Sequence, residues 1–524
     1  MKKKLLSLIL IPALLTGCSN AIKLEFAPFS EYFTEQDFMR NLDNDFFYSK
    51  KDVSPISVHG GGTVSSISDL LENNRLGKKR ENIISKGDRK LLVVPIYFND
   101  SDPSSLDDKT IFIQNAFFGR SDHTTYDSVA GYYNKSSYGQ LKLTGEVAPW
   151  FNINISSSQW KTLSTSKSNA SSIIVAEAVD YIKANNLMDL SVYDTDGDDE
   201  IDGVYAIYDH PFDNEDSDSL FWAYTYYTYK DENNRNHDAP YVNDYSWTSV
   251  NTIIQKDNKS YTNYLIHETG HLLGLSDYYN TDYTGSNNFH YQPTGCFDMM
   301  DYNIGDHSAF SKYLLNWTSP LVLKSTSSFT YKLKPLQSSG EYILIPSGSY
   351  NGSPFSEYLL VEYFTPQGLN KFNGTYSYIN SNGGVGVYRY PQHYGVKIYH
   401  VNASLGYFKK GIGKTPLICL VNDSEAETKI DGQNVIVDYA YDNSLDDTKA
   451  KQGYPVLYHL LESSGNNTFI DGTPASNATL FEVGDDFGIS VFKDFTFNDG
   501  SVPGYTLKIK AMSSSEVTLE ITKK

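Results

Sequence analysis

Residues 267–277 read His267-Glu268-Thr269-Gly270-His271-Leu272-Leu273-Gly274-Leu275-Ser276-Asp277. Residues four apart share one face of a helix, so His267 and His271 can aim two imidazoles at a single ion. Gly274 can end that helix in a left-handed conformation. The chain then turns back, and Asp277 can supply a third ligand. Two imidazoles, a carboxylate and one open position suit zinc. Bound zinc lowers the pKa of its water to roughly 7 and polarises a carbonyl oxygen. Glu268, beside the histidines, would accept the water's proton and later pass it to a leaving amine. This chemistry is peptide-bond hydrolysis. The bland alternatives are a helical histidine pair without a metal and, for Asp277, an ordinary turn residue.

Two further stretches bear on chemistry. In Asp194-Thr195-Asp196-Gly197-Asp198-Asp199-Glu200-Ile201-Asp202-Gly203, carboxylates at alternate positions can converge on one hard cation. Calcium held by Asp194, Asp196, Asp198 and Asp202 is the expectation; a solvated acidic turn is the alternative. It is not an EF-hand loop, because the sixth position is Asp199 rather than glycine and the twelfth is Tyr205. Downstream of the histidines, Cys296-Phe297-Asp298-Met299-Met300-Asp301-Tyr302 fits a methionine turn beneath a zinc site. There Met299 or Met300 would support the ligand histidines by packing. Tyr302 would stabilise the oxyanion of a tetrahedral intermediate. Ordinary core methionine is the competing reading.

These residues need a scaffold. Leu91 to Phe98 reads as a buried strand, and Val204 to Tyr208 as another. Residues 128–150 suggest a helix, a glycine-containing turn and a strand. Ile173, Ile174, Ala178, Val179 and Ile182 give Ser168–Asn186 an amphipathic helical pattern. Alternating helices and strands ahead of the histidine helix imply an α/β catalytic domain with a mixed sheet, over residues 89–317. Ser308 to Trp317 reads as its closing helix. From about 318 the pattern changes to period two, as in Tyr505, Leu507, Ile509 and in Val517, Leu519, Ile521. Further strands are expected at 341–346, 357–363, 384–390 and 396–402. The expectation for 318–524 is a β-sandwich region.

With 43 Lys plus Arg against 63 Asp plus Glu, the formal charge is −20, which argues against nucleic-acid binding. The chain opens MKKKLLSLILIPALLTGCSN: three lysines, then an apolar run too short to span a bilayer. Leu15-Thr16-Gly17-Cys18 resembles the bacterial lipoprotein signal, in which Cys18 is lipidated. The expectation is export of the chain from Cys18 onward to a membrane surface through a lipid anchor; a plain secretory signal is the alternative. Residues 19–88 read as a propeptide or a tether, with a basic cluster at Arg75, Lys78, Lys79 and Arg80. Three cysteines leave at most one disulfide, Cys296 to Cys419, if Cys18 carries lipid.

Together these residues resemble the immune inhibitor A family of bacterial metallopeptidases. The resemblance is carried by the histidine motif and by Tyr132, Tyr133, Ser137, Tyr138, Gly139 and Gly145. The acidic stretch 194–203, Met299–Met300 and the segment ending at Trp317 also carry it, over roughly 89–410. It implies a secreted zinc endopeptidase of the metzincin-like group with a propeptide, broad protein substrates and structural calcium. It implies His267 and His271 as ligands and Glu268 as the base. Ser276 stands where that family would have proline. The competing functions are a surface adhesion lipoprotein with a vestigial peptidase domain, and a zinc exopeptidase.

Overall fold

The computed structural model describes residues 46–48, 56–57, 63–64, 83–163, 167–212, 220–227, 238–254, 259–281, 291–373, 377–379, 385–387, 391–409, 427–430, 433–441, 443–445 and 447–524. Cys18, Cys419 and the basic cluster at 75–80 lie outside them. Among the described residues, no helix is long and apolar enough to cross a membrane.

Strand β1 (Gly87–Tyr97) organises the first half of the molecule. Its residues alternate between two cores: Leu91 and Val93 join one buried cluster, Leu92 and Val94 the other. A strand buried on both faces reads as a continuous apolar run, which is why the stretch from Leu91 is so unbroken. β1 pairs in parallel with β2 (Leu141–Val147) and β3 (Val204–Tyr208). β4 (Tyr224–Tyr227) and β5 (Asp244–Ser249) extend the sheet, in the order β2-β1-β3-β5-β4, and the short strand Phe151–Asn152 pairs with the end of β1. β5 is parallel to β3, while the edge strand β4 is antiparallel to β5.

Helices cover both faces. On one lies α3 (Lys167–Ala184), through Ile174, Ala178, Val179 and Ile182. On the other lie α1 (Leu106–Phe118), α2 (Val129–Ser136) and α4 (Asn263–Leu272). α2 begins at Ser128, whose hydroxyl accepts the Gly131 N–H at 3.1 Å. This arrangement is the mixed-sheet α/β domain expected from the alternation of elements. The closing helix is shorter than the sequence suggested: α5 spans Ala309–Leu314, and Asn316 with φ +56° breaks it before Trp317.

Beyond it, β6 (Leu321–Leu323), β8 (Tyr342–Pro346), β9 (Glu357–Phe364), β10 (Gly395–Asn402) and β11 (Tyr458–Leu461) lie side by side. A second sheet is built from β7 (Phe329–Leu333), β12 (Asp486–Phe487), β13 (Tyr505–Met512) and β14 (Val517–Lys523). The larger sheet is sandwiched between two cores. Ile343, Leu359 and Ile398 share a cluster with Leu333, Phe487, Leu507 and Leu519 of the second sheet. Leu344, Leu360, Tyr399 and Leu460 share a cluster with Leu265, Met300 and Phe310 of the peptidase half. A short strand, Phe47–Tyr48, pairs antiparallel with β6 and seals the sheet's edge, with Phe47 fully buried.

Candidate metal centre and active site

Helix α4 presents its ligands because its surroundings fix it at several points. The Tyr205 hydroxyl donates to the Leu265 carbonyl at 2.7 Å, and the Tyr133 hydroxyl to the Ile266 carbonyl at 2.6 Å. Gly270 faces Met300: a Cβ there would lie 2.3 Å from the Met300 Sδ. Any larger residue would push the methionine or the helix aside. Gly274, with φ +90°, turns the chain out of the helix as expected. The Leu275 N–H returns to the Gly270 carbonyl at 2.9 Å, and the Ile83 N–H donates to the Leu272 carbonyl at 3.1 Å. The segment after the turn is then pinned by the Tyr278 N–H, which donates to the Met300 carbonyl at 2.8 Å. That bond sets the position of Asp277.

The outcome is a three-donor cluster. Asp277 Oδ1 lies 3.1 Å from His267 Nε2 and 3.2 Å from His271 Nε2. The remaining ring nitrogens have backbone partners: His267 Nδ1 donates to the Met299 carbonyl at 2.9 Å, and His271 Nδ1 to the Leu275 carbonyl at 2.8 Å. Carbonyl acceptors at Nδ1 assign the proton there and leave the Nε2 lone pairs facing the carboxylate. Two lone pairs and an anion in mutual contact require a cation or protons between them. A tetrahedral zinc with bonds of about 2.0–2.2 Å separates its ligand atoms by about 3.3–3.6 Å. The donor set therefore fits the ion in type, and the spacing of Asp277 to each imidazole falls within a few tenths of an ångström of that separation. Burial alone would lower the pKa of His267, but the hydrogen-bonded Asp277 carboxylate outweighs it and raises it to about 9. Burial opposes ionisation of Asp277, yet the two imidazoles hold its carboxyl well below the usual range.

Glu268 is buried on the same helix and is held from the edge strand. Thr225 Oγ1 on β4 donates to Glu268 Oε2 at 2.6 Å, and it shares a hydrogen bond of 2.8 Å with the Ser246 hydroxyl on β5. Tyr302 is 41% exposed; its ring stacks on Tyr279 at 5.1 Å, and Tyr279 lies over His267 at 6.2 Å. Met299 and Met300 are both buried. Met299 contributes its carbonyl to His267, while Met300 contributes its side chain to the helix. The segment that carries them is dry: burial pushes Asp298 up to about 6 and Asp301 to about 7.

The larger sheet clamps both ends of this segment. Glu362 Oε2 accepts the Ala309 N–H at 2.9 Å, and its Oε1 pairs with Lys397 Nζ at 2.9 Å. Lys397 also lies 4.0 Å from the Phe297 ring centroid. Glu362 and Lys397 are cross-strand neighbours on β9 and β10, and both are buried.

In the acidic loop the structure brings together Asp194, Asp196 and Asp202, whose carboxylate oxygens lie within 4.8 Å of one another. Asp198 is not in that group, which corrects the expected set of four. The alternation is broken by left-handed residues at Gly197, φ +80°, and Asp199, φ +73°. The Asp198 Oδ1 instead accepts the Glu200 N–H at 2.8 Å. Asp202 is buried, which pushes its carboxyl up to about 6. The Thr195 N–H donates to Asp202 Oδ1 at 3.1 Å.

Sequence reasoning missed Thr225, Tyr205 and Tyr279, and quoted Tyr133 only for its resemblance. The strand that carries Thr225 is only four residues long and has no alternation long enough to announce it.

A half-buried helix offering two imidazoles, a carboxylate and a flanking glutamate beside a mixed sheet defines an α/β metallopeptidase domain. Residues 67–302 match the family model described as immune inhibitor A peptidase M6, catalytic domain. Over that segment the chain is similar to the catalytic domain of M6 peptidases, which supports a metallopeptidase hydrolase. A search of curated proteins returned no match.

Proposed function

We propose that this chain is an exported zinc endopeptidase that cuts extracellular proteins. The observation that carries the reading is the convergence of His267 Nε2, His271 Nε2 and Asp277 Oδ1, at 3.1 and 3.2 Å, beside Glu268 on one helix. When bound, zinc supplies an electrophile for the scissile carbonyl and an acidified water. His267, His271 and Asp277 hold the ion. Glu268, with one carboxylate oxygen tied to Thr225, takes the proton of the attacking water and returns it to the departing amine. The Tyr302 hydroxyl steadies the oxyanion. Met299 and Met300 fix the ring plane of His267 and the back of the helix. Residues 318–524 form a β-sandwich that supports the site. Export and surface retention rest on the sequence Leu15-Thr16-Gly17-Cys18.

Casein hydrolysis by the purified protein, before and after a zinc chelator, tests the reading. Activity should vanish with the chelator and return with added zinc. An Asp277→Ala variant should retain far less metal than the parent. A purified protein that binds no zinc, or that cuts casein equally well with chelator, would sink the proposal. Tyr302→Phe is expected to lower kcat by roughly tenfold or more at unchanged zinc content, in the range that single oxyanion donors supply. Wild-type kcat in that variant would remove Tyr302 from the mechanism.

Calcium at Asp194, Asp196 and Asp202 is proposed as a structural ion. A ligand that binds only the folded state stabilises it by about 2.7 kcal/mol at a hundredfold excess over Kd. Added calcium should therefore raise the melting temperature of the parent and not of Asp196→Asn. An equal response in both proteins would place the ion elsewhere.

A further inference from the structure

Tyr264 and Tyr302 are among the few large apolar side chains left exposed, at 53% and 41%. Tyr264 precedes His267 by three residues on α4, and Tyr302 is linked to His267 through the Tyr279 ring. Leu265, Ile266, Thr269, Gly270 and Leu272 are buried in the core side of α4, so the open face of the helix is Tyr264, His267 and His271. Tyr264 thus rides on the ligand stripe, one turn ahead of His267. It does not stand alone. The Phe212 ring lies 6.2 Å from Tyr264 and stacks on Trp222 at 5.0 Å. Trp222 leads into β4, the strand whose Thr225 holds Glu268. A second stack begins at His267 itself. Tyr279 lies over His267 at 6.2 Å and 25°, and Tyr302 lies over Tyr279 at 5.1 Å and 29°.

We infer that these two stacks are apolar subsites, and that the substrate class is peptides carrying aromatic or large aliphatic side chains beside the scissile bond. The inference rests on the peptidase reading above. A carbonyl brought to the metal centre places the side chains on either side of the scissile bond within reach of Tyr264 and Tyr279. The exposed rings of Tyr264 and Tyr302 gain free energy when an apolar side chain covers them. An acidic side chain gains nothing there. The ring faces, rather than the phenolic hydroxyls, do the selecting.

The test uses the zinc-loaded full chain and one fluorogenic peptide, its cleavage site first located by mass spectrometry. The residues flanking that site are then varied among Phe, Leu, Ala and Asp. Phe and Leu peptides should exceed Ala in kcat/KM by about tenfold or more, as expected where a pocket recognises several carbon atoms. Tyr264→Ala or Tyr279→Ala should shrink that ratio several-fold, mainly through KM, with zinc content unchanged. Tyr264→Phe should keep it. A flat series, or a ratio undisturbed in both alanine variants, overturns the inference while leaving the peptidase intact. If neither casein nor any peptide is cut by the zinc-loaded protein, the peptidase reading falls and this inference with it.

Discussion

Glu268→Gln is expected to lower kcat by roughly 10²–10⁴-fold while the protein keeps its metal and its fold, a drop in the range of a lost general base. The amide is nearly isosteric with the carboxylate and can still accept the Thr225 hydroxyl, which donates to Oε2 at 2.6 Å. Its only large difference is that it cannot take a proton. The loss should therefore appear in kcat, with KM for a given peptide little changed. Glu268→Ala should lose as much activity. It should also lose some stability, because it empties a buried position and removes an acceptor from Thr225. Zinc content and kinetic constants measured on the same preparations decide the matter. A kcat within tenfold of the parent in Glu268→Gln would assign the base to another group.

The second large effect lies far from the histidine motif in sequence. Lys397→Met should destabilise the protein by about 3–5 kcal/mol, the cost of leaving a buried charge without its partner. Glu362 is only 2% exposed and would keep its hydrogen bond from the Ala309 N–H but lose its counter-ion. The double variant Glu362→Gln with Lys397→Met should recover most of that loss. Glutamine can still accept the Ala309 N–H, and methionine can still cover the Phe297 ring. Urea denaturation of the three proteins provides the comparison. A single variant that loses less than about 1 kcal/mol would show that the pair is better solvated than its burial implies. Because Phe297 and Ala309 bracket Met299 and Met300, zinc retention should fall in the single variant and rise again in the double.

Much of the centre was legible in eleven residues. Helical periodicity put His267 and His271 on one face, and the left-handed preference of Gly274 returned Asp277 to them. Such features are local, and local rules suffice for them. What escaped was whatever depends on chain segments meeting across long separations. Thr225 reaches Glu268 only because an antiparallel edge strand is laid against β5, and nothing in the residues of that strand announces its register. Asp198 dropped out of the acidic cluster for a different reason. Strict alternation presumes extended backbone, whereas Gly197 and Asp199 both turn left-handed. The strands at 342–346, 357–364 and 395–402 were legible from composition, since each is rich in aliphatic and aromatic residues. Their contribution to the active site was not. Glu362 and Lys397 look like solvent-facing charges in sequence and become a buried pair only when the peptidase half is laid on the sheet.

One small contact bears on what a break in the backbone would do to this protein. Phe47 lies against Phe329 and Tyr331, and the Phe46 carbonyl accepts the Lys324 N–H at 3.0 Å. Ile83, at the far end of the intervening segment, is itself buried and bonded to the end of α4. The chain is thus fastened on both sides of the basic residues at 75–80. A cut among them would give two polypeptides and still a single particle. The pieces would part on a denaturing gel and travel together through a sizing column. Whatever is joined to the chain ahead of residue 46 would then stay with the enzyme after the covalent link is gone.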